Sequence, residues 1–196
     1  MYVRDARNRD EAWLLDHIEA MGLDETAFRS RDYVIAVDEE SNARAGFGRI
    51  RIHGDGVETC ELTSIGVLDG WRGQGVGAHV IERLIDSAAA KDFEEVFALT
   101  SKHEYLAQFG FSVISEDDLP RALQTRLGEK REAIDPEAIP LRISTGEFSM
   151  PDRLRERFKH AAKEEPEPES DPETMAEDFG IDPDEVTYKY DTGRKS

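Results

Sequence analysis

Residues 64–80 read SIGVLDGWRGQGVGAHV, and the fold turns on them. An apolar, strand-like run ends at Leu68. A turn at Asp69 and Gly70 follows, then Trp71 and Arg72, then glycine at 73, 75 and 77. From Val76 onward apolar residues recur at 76, 80, 84 and 88, and Ile81 and Ile85 widen that stripe into one face of a helix. A strand therefore passes into a helix through a loop with few side chains. The first N–H groups of a helix have no partner within it, and its dipole is positive at that end. Arg72, Gly73, Gln74, Gly75, Val76, Gly77 and Ala78 thus form an expected cradle for a pyrophosphate, built without lysine.

Two chemistries share such a loop. Gly73-x-Gly75-x-x-Ala78 has the form of the dinucleotide-binding fingerprint. In that motif the strand runs straight into the first glycine and opens the domain. Here LDGWR intervenes, and three strands and a helix come first. The acid expected at the end of the next strand is also missing, since FEEVFALT ends in Leu99 and Thr100.

Ahead of the loop, MYVRDA reads as a short strand. NRDEAWLLDHIEAMG reads as a helix capped by Asn8 and stopped by Gly22. Trp13, His17, Ala20 and Met21 share its stripe, with Leu14 and Ile18 beside it. DYVIAVDEE, AGFGRIRIHG and VETCELTSIGVL read as three strands of an antiparallel meander. Beyond the loop helix, FEEVFALT is a strand, SKHEYLAQF a short helix opened by Ser101, and GFSVIS a strand. The order is mixed α/β, with a crossover to a parallel strand. After Asp118 the periodicity weakens. AIPLRIS suits a last strand and MPDRLRERFKHAA a helix. The expected division is a domain over 1–145, a C-terminal helix over 146–163, and an acidic linker and tail over 164–196.

The 196 residues carry 43 acids against 25 Lys and Arg, a formal charge of −18. Eleven of those acids lie in 164–185, where KEEPEPESDPE reads as a solvated linker. Nucleic acid and anionic membrane both call for clustered Lys and Arg, so neither is expected as a partner. Scarce lysine beside abundant acid suits the salt-rich cytoplasm of a halophilic microbe. The single Cys60 excludes a disulfide framework, and the five histidines lack metal-ligand spacing, so no metal is expected. No stretch reaches the ~20 apolar residues of a membrane span, and MYVRDARNRD has no leader core, so the expected location is cytoplasmic.

Three features appear in fixed order. Residues 72–77, RGQGVG, fit Q/R-x-x-G-x-G/A; Val67 stands five residues before Arg72; and LAQFGF ends in Gly110 and Phe111 as in Y-x-x-x-G-F. Over residues 1–120 the chain resembles the Gcn5-related N-acetyltransferase (GNAT) family. The resemblance implies the GNAT fold, a mixed and mostly antiparallel sheet flanked by helices, with strands four and five parallel and splayed. It implies acetyl-CoA as cosubstrate. The pantetheine arm would lie in the gap against Ile65, Gly66, Val67 and Leu68. The pyrophosphate would rest on the loop from Arg72 to Ala78, with Thr100 or Ser101 nearby. Leu99 and Thr100, Tyr105 and Leu106, Gly110 and Phe111, and the run Asp118, Leu119, Pro120 narrow the resemblance to the acetyltransferase domain of N-acetylglutamate synthases. The resemblance is confined to that acetyltransferase domain, and the pattern diverges after Pro120. The implied acceptor is therefore a small amine, an amino acid among them.

Acyl transfer to an amine needs a proton acceptor, a donor for the oxyanion and an acid for the leaving thiolate. Glu61, on the long strand, is the expected base. Strand alternation would put it on a face with Thr63, Ile65 and Val67, and partial burial would raise its pKa. The alternative is an ion pair with Arg49 or Arg51. An N–H at Val67 or Leu68 would polarise the thioester. The family's tyrosine position holds Leu106; Tyr105 is one residue away, about 100° around a helix. Tyr105 serves as acid, or another group does, or none. Arg49 and Arg51 are candidates for holding a substrate carboxylate. Cys60 reads as core. The competing functions are a non-catalytic acyl-CoA sensor and a protein N-terminal or lysine acetyltransferase. The expected partners are a small-molecule amine and, as an option, a second copy in a homodimer. VTYKY in the tail is read as a docking strand for the domain or a second copy, or as a loose end.

Overall fold

Seven strands form one sheet in the order β1-β2-β3-β4-β5-β7-β6, in a computed structural model that describes residues 1–164. The strands are β1 (Tyr2–Asp5), β2 (Tyr33–Val37), β3 (Arg44–Asp55), β4 (Val57–Val67), β5 (Glu95–Thr100), β6 (Ser112–Val113) and β7 (Ile139–Ser144). The helices are α1 (Glu11–Ala20), α2 (Val76–Ala89), α3 (His103–Ala107), α4 (Arg121–Ala133) and α5 (Asp152–Lys159). β1 to β4 pair antiparallel, β4 and β5 pair parallel, and β7 runs antiparallel to both β5 and β6. This is the expected mixed α/β sheet. Met1–Lys163 form one compact unit, so α5 belongs with the domain. The tail expectations, VTYKY included, lie outside the described residues.

β4 and β5 pair only at Cys60 with Val96, Glu61 with Phe97 and Leu62 with Ala98. Both strands continue, but unpaired, so they part at Thr63 and Leu99. The parting coincides with a bulge on the other edge of β4. Arg49 faces Thr63, yet Phe47 faces Gly66, so one residue of β3 opposes Ser64 and Ile65 together. Ser64 takes a left-handed φ of +53°. Its Oγ donates to the Asp24 carbonyl oxygen at 2.7 Å, which compensates that conformation.

The bulge overturns an expectation. Strict alternation would put Ile65 and Val67 on the face of Glu61 and Thr63. The extra residue turns them over, and Ile65 and Val67 pack with the core under α2. A Cβ at Gly48 would press on Val80, Ile65 and Leu84, which locates Ile65 on the α2 side. Glu61 and Thr63 stay on the opposite face, below α4.

α2 buries the anticipated stripe: Val76, Val80, Ile81, Leu84, Ile85 and Ala88 are all in the core. α1 differs in detail. A 3₁₀ turn at Asn8–Asp10 precedes it, so Asn8 is not its cap, and its buried ridge is Leu14 and Ile18, with Ala20 exposed. α3 starts at His103 after Lys102, one residue later than Ser101 would set it. α4 was not anticipated. Its buried positions are Leu123, Arg126, Leu127 and Lys130, and two of those four are cations, so hydrophobic periodicity does not reveal it.

β1, β3 and the entry to α1 meet on Asp10, which is fully buried. Arg4 donates to it twice, at 2.7 and 3.1 Å, Arg44 at 3.1 Å, and the Arg7 N–H at 2.9 Å. Burial pushes this carboxyl up, but the Arg4 and Arg44 bonds and the Arg7 amide outweigh it and hold it far below the usual carboxylate range. Asp10→Ala leaves two arginines without their anion. We expect it to cost about 2–3 kcal/mol, less than a wholly buried pair because both guanidinium groups are partly wet. A urea denaturation midpoint equal to that of the parent would refute this.

Candidate active site

Two cavities meet at the C-terminal end of β4. The larger, about 1150 Å³, is bounded by the glycine loop, the end of α1, and α5. The smaller, about 540 Å³, fills the gap between the parted strands, with Thr63, Leu99, Ser101 and Lys130 in its walls. Ile65, Val67, Gly77 and Tyr105 line both, so the spaces adjoin.

The loop has the shape its sequence promises. Gly73 and Gly75 adopt φ of +72° and +79°, and Gly75 stands at the N-terminus of α2. A Cβ on Gly75 would overlap the Leu154 carbonyl oxygen of α5, so glycine is required there twice over. Trp71 N–H bonds Leu68 O at 3.1 Å, and His79 N–H bonds Gly75 O at 3.1 Å. Between them, among the described residues, no protein acceptor takes the N–H groups of Gly73, Gln74, Gly75, Val76, Gly77 or Ala78. Six open amides at a helix start beside a large cavity fit a diphosphate. The loop's two polar side chains serve structure: Arg72 Nε donates to Val67 O at 3.3 Å, and Gln74 exchanges hydrogen bonds of 2.8 Å with Ala162.

Of the two amides expected to face a thioester, Leu68 is excluded, because its N–H donates to Ala45 O at 2.9 Å. The alternation of an antiparallel ladder then turns the Val67 N–H away from β3, into the gap. Tyr105 stands where the cavities join. Its hydroxyl lies 3.1 Å from where a Gly77 Cβ would be, and its ring meets Phe109 edge-on at 5.3 Å. Tyr105 is 41% exposed, but burial of the part that faces the protein pushes the phenol up, so it stays protonated. Leu106 points into the core, and the one-residue offset therefore gives the cleft a tyrosine. Ser101 lines the smaller cavity, with its N–H held by Asp135 at 2.8 Å; Thr100 lines it too.

Glu61 is fully buried and lines neither cavity. His53 Nε2 is 2.7 Å from its Oε2, Arg126 Nε 3.5 Å from the same oxygen, and Lys130 Nζ 3.8 Å from Oε1. Oε1 itself accepts no hydrogen bond. Burial is the largest influence and pushes the carboxyl up. The His53 bond and the charges of Lys130, Arg126 and His53 together exceed it, so Glu61 sits below the ordinary glutamate range. The expected raised pKa is thus reversed, because the cations of α4 lie against the carboxylate.

Neither strand arginine pairs with Glu61. Arg49 is fully buried and donates to the carbonyls of Asp24 (3.2 Å), Thr26 (2.9 Å) and Ala27 (3.4 Å), fastening residues 24–27. Arg51 stands opposite Glu61 in the ladder, and its buried Nη1 has no partner. Cys60 lies in the core on the other face, its thiol pushed up to about 12 by burial.

The residues missed from sequence are Asp24, Arg126 and Lys130. Asp24 and Arg126 form a buried ion pair, and Lys130 Nζ is 3.3 Å from Thr63 Oγ1 at the wall of the smaller cavity. The available signal was Arg126 and Lys130, four apart, on a stripe with Leu123 and Leu127. Among the described residues, no three His, Cys, Asp or Glu side chains cluster as metal ligands, and no helix is long and apolar enough to cross a membrane.

Residues 2–111 match the acetyltransferase (GNAT) family. Among solved structures, the N-acetylglutamate synthase of Neisseria gonorrhoeae, complexed with coenzyme A and N-acetyl-glutamate, is similar at a TM-score of 0.58 and 22% identity. That match covers 73% of this chain and 34% of the synthase, so the chain spans about a third of that protein's length. Rv2747 of Mycobacterium tuberculosis, in complex with CoA and NLQ, gives 0.62 at 17% identity, over 74% of this chain and 99% of its own. Naa50 of Arabidopsis thaliana, with the bisubstrate analogue CoA-Ac-MVNAL, gives 0.51 at 13%, over 72% and 97%. At these identities the likeness is one of fold.

A carboxyl whose folded pKa lies below its unfolded value adds stability above the unfolded value, and loses it as pH falls through the folded one. For Glu61 the unfolded reference is 4.5. Urea midpoints of the parent should therefore fall as pH drops from about 5 to about 2, and those of Glu61→Gln should fall less over the same interval. Parallel curves would place the Glu61 carboxyl in the ordinary range.

Proposed function

The chain belongs to the acetyltransferase (GNAT) family, and from that premise we propose that it moves the acetyl group of acetyl-CoA to the amine of a small molecule bearing its own carboxylate, an amino acid. One juxtaposition carries the proposal. The cavity of open amides adjoins a cleft of about 540 Å³ with the Lys130 ammonium in its wall. That volume suits a small molecule better than a peptide. Its cation suits a carboxylate, which a polyamine lacks.

In this reading the pantetheine arm lies along Ile65, Gly66 and Val67, and the diphosphate lies on the amides of residues 73–78. The substrate's carboxylate pairs with Lys130; Arg51, which lines neither of the two joined cavities, has no part in holding it. Arg49 is a positioning residue that shapes the wall at 24–27. The amine nitrogen attacks the thioester carbon, a C–N bond forms, and the C–S bond breaks. Negative charge on the carbonyl oxygen meets the Val67 N–H. The sulfur leaves and takes the Tyr105 proton. The amine's proton is taken up by Glu61 through intervening water, because that carboxylate lines neither cavity.

A thiol-release assay over amino acids and polyamines, in low and high salt, tests this. Turnover with amino acids is expected. Lys130→Met should raise KM for the amino acid, and Glu61→Gln should lower kcat by about 10²-fold with coenzyme affinity retained. Tight coenzyme binding without turnover on any acceptor would leave a non-catalytic coenzyme-binding module instead.

A further inference from the structure

α5 lies against the glycine loop, and its side chains sort by partner. Leu154 and Phe158 are buried in the core, and Phe158 stacks on His79 at 3.8 Å between ring centroids. Arg155 pairs with Glu82 at 2.8 Å and Lys159 with Glu156 at 2.6 Å. Arg153 and Arg157, four apart, instead line the larger cavity. Arg153 Nη2 donates to Gln108 Oε1 at 2.6 Å, and Arg157 Nη1 donates to the Gly73 carbonyl oxygen at 3.1 Å. Both acceptors are neutral. Among the described residues no carboxylate pairs with either guanidinium, although the chain carries 43 acids. The acid that does line this cavity, Asp69, is taken by Arg72 at 3.2 Å.

Two guanidinium groups held by neutral atoms, facing a cavity that already presents open amides, form a second anion site. The amides and helix dipole offer partial charges suited to a diphosphate whose charge is spread over two phosphates. A phosphate monoester carries nearly two full charges on one group, and paired guanidinium forks suit it better than amides do. We infer that Arg153 and Arg157 bind the ribose 3′-phosphate of coenzyme A, so that α5 completes the coenzyme site beyond the loop. The inference rests on the acetyl-CoA reading proposed above.

The test compares coenzyme A with dephospho-coenzyme A, which differ in that one phosphate, by calorimetry on the full chain. The parent should bind coenzyme A at least tenfold more tightly. The double variant Arg153→Gln, Arg157→Gln should lose that preference while affinity for dephospho-coenzyme A changes little. Arg155→Gln, on the outer face, should keep it, and the lysine pair Arg153→Lys, Arg157→Lys should keep part of it. No preference in the parent overturns the inference, as does a preference that survives in the double variant or equal weakening of both ligands. The parent comparison decides even if the double variant fails to fold. Failure of the parent to bind either ligand would instead remove the acetyl-CoA reading itself.

Discussion

One backbone irregularity, the extra residue at Ser64, underlies the whole arrangement. With strict pairing, β4 and β5 would run side by side to their ends, and no gap would exist for a ligand. The bulge bends β4 where its pairing with β5 stops, after Leu62. It also reassigns faces. Glu61 and Thr63 remain under α4 among polar partners, while Ile65 and Val67 join the α2 core. Ser64 accepts an unusual φ for this, and the hydrogen bond to Asp24 O ties the bulge to residues 24–27, which Arg49 holds from below. Gap, bulge and wall are one connected structure.

Charge is the second constraint. A chain of net charge −18 repels polyanions at long range, so a coenzyme with three phosphates must be held by local features. Open amides are blind to the surrounding acid because they are fixed dipoles at short range. The arginines of α5 would add full charge beside a loop whose own Arg72 is paired with Asp69. The same economy of position appears under the sheet, where Arg126 and Lys130 from α4 face Asp24 and Glu61. Cations that would be lost among surface carboxylates are kept buried, each against a specific partner.

Much of the fold was legible because it depends on local pattern. The strand, glycine loop and helix around residues 64–89 obey period and dihedral rules that a sequence displays directly. Tyr105 could be named but not aimed, because one residue on a short helix decides between core and cleft, and Leu106 took the core. The bulge was invisible, since Ser64 is an ordinary strand residue by composition. Without it, alternation put Ile65 and Val67 on the wrong face. α4 was missed for a related reason. Its inward stripe is half cationic, and periodicity in hydrophobicity cannot report a helix whose buried partners are carboxylates from β4 and the 22–30 segment. The pKa of Glu61 followed the same error: burial was foreseen, but the cations that outweigh it come from the unseen helix.

That low pKa bears on how a buried carboxylate could serve as a base. Glu61 is stabilised in its charged form by the His53 hydrogen bond and by the nearby Lys130 and Arg126, and so attracts a proton weakly. On the proposed function, a substrate carboxylate paired with Lys130 offsets that cation's charge. Glu61 then loses part of its stabilisation while its burial stays the same, and its proton affinity rises. The base would thus strengthen when an acceptor with a carboxylate occupies the cleft. An amine without one would leave the Lys130 charge beside Glu61 unneutralised, and the carboxylate would stay a weak base. Lys130 then discriminates twice, in holding the substrate and in tuning the group that receives its proton.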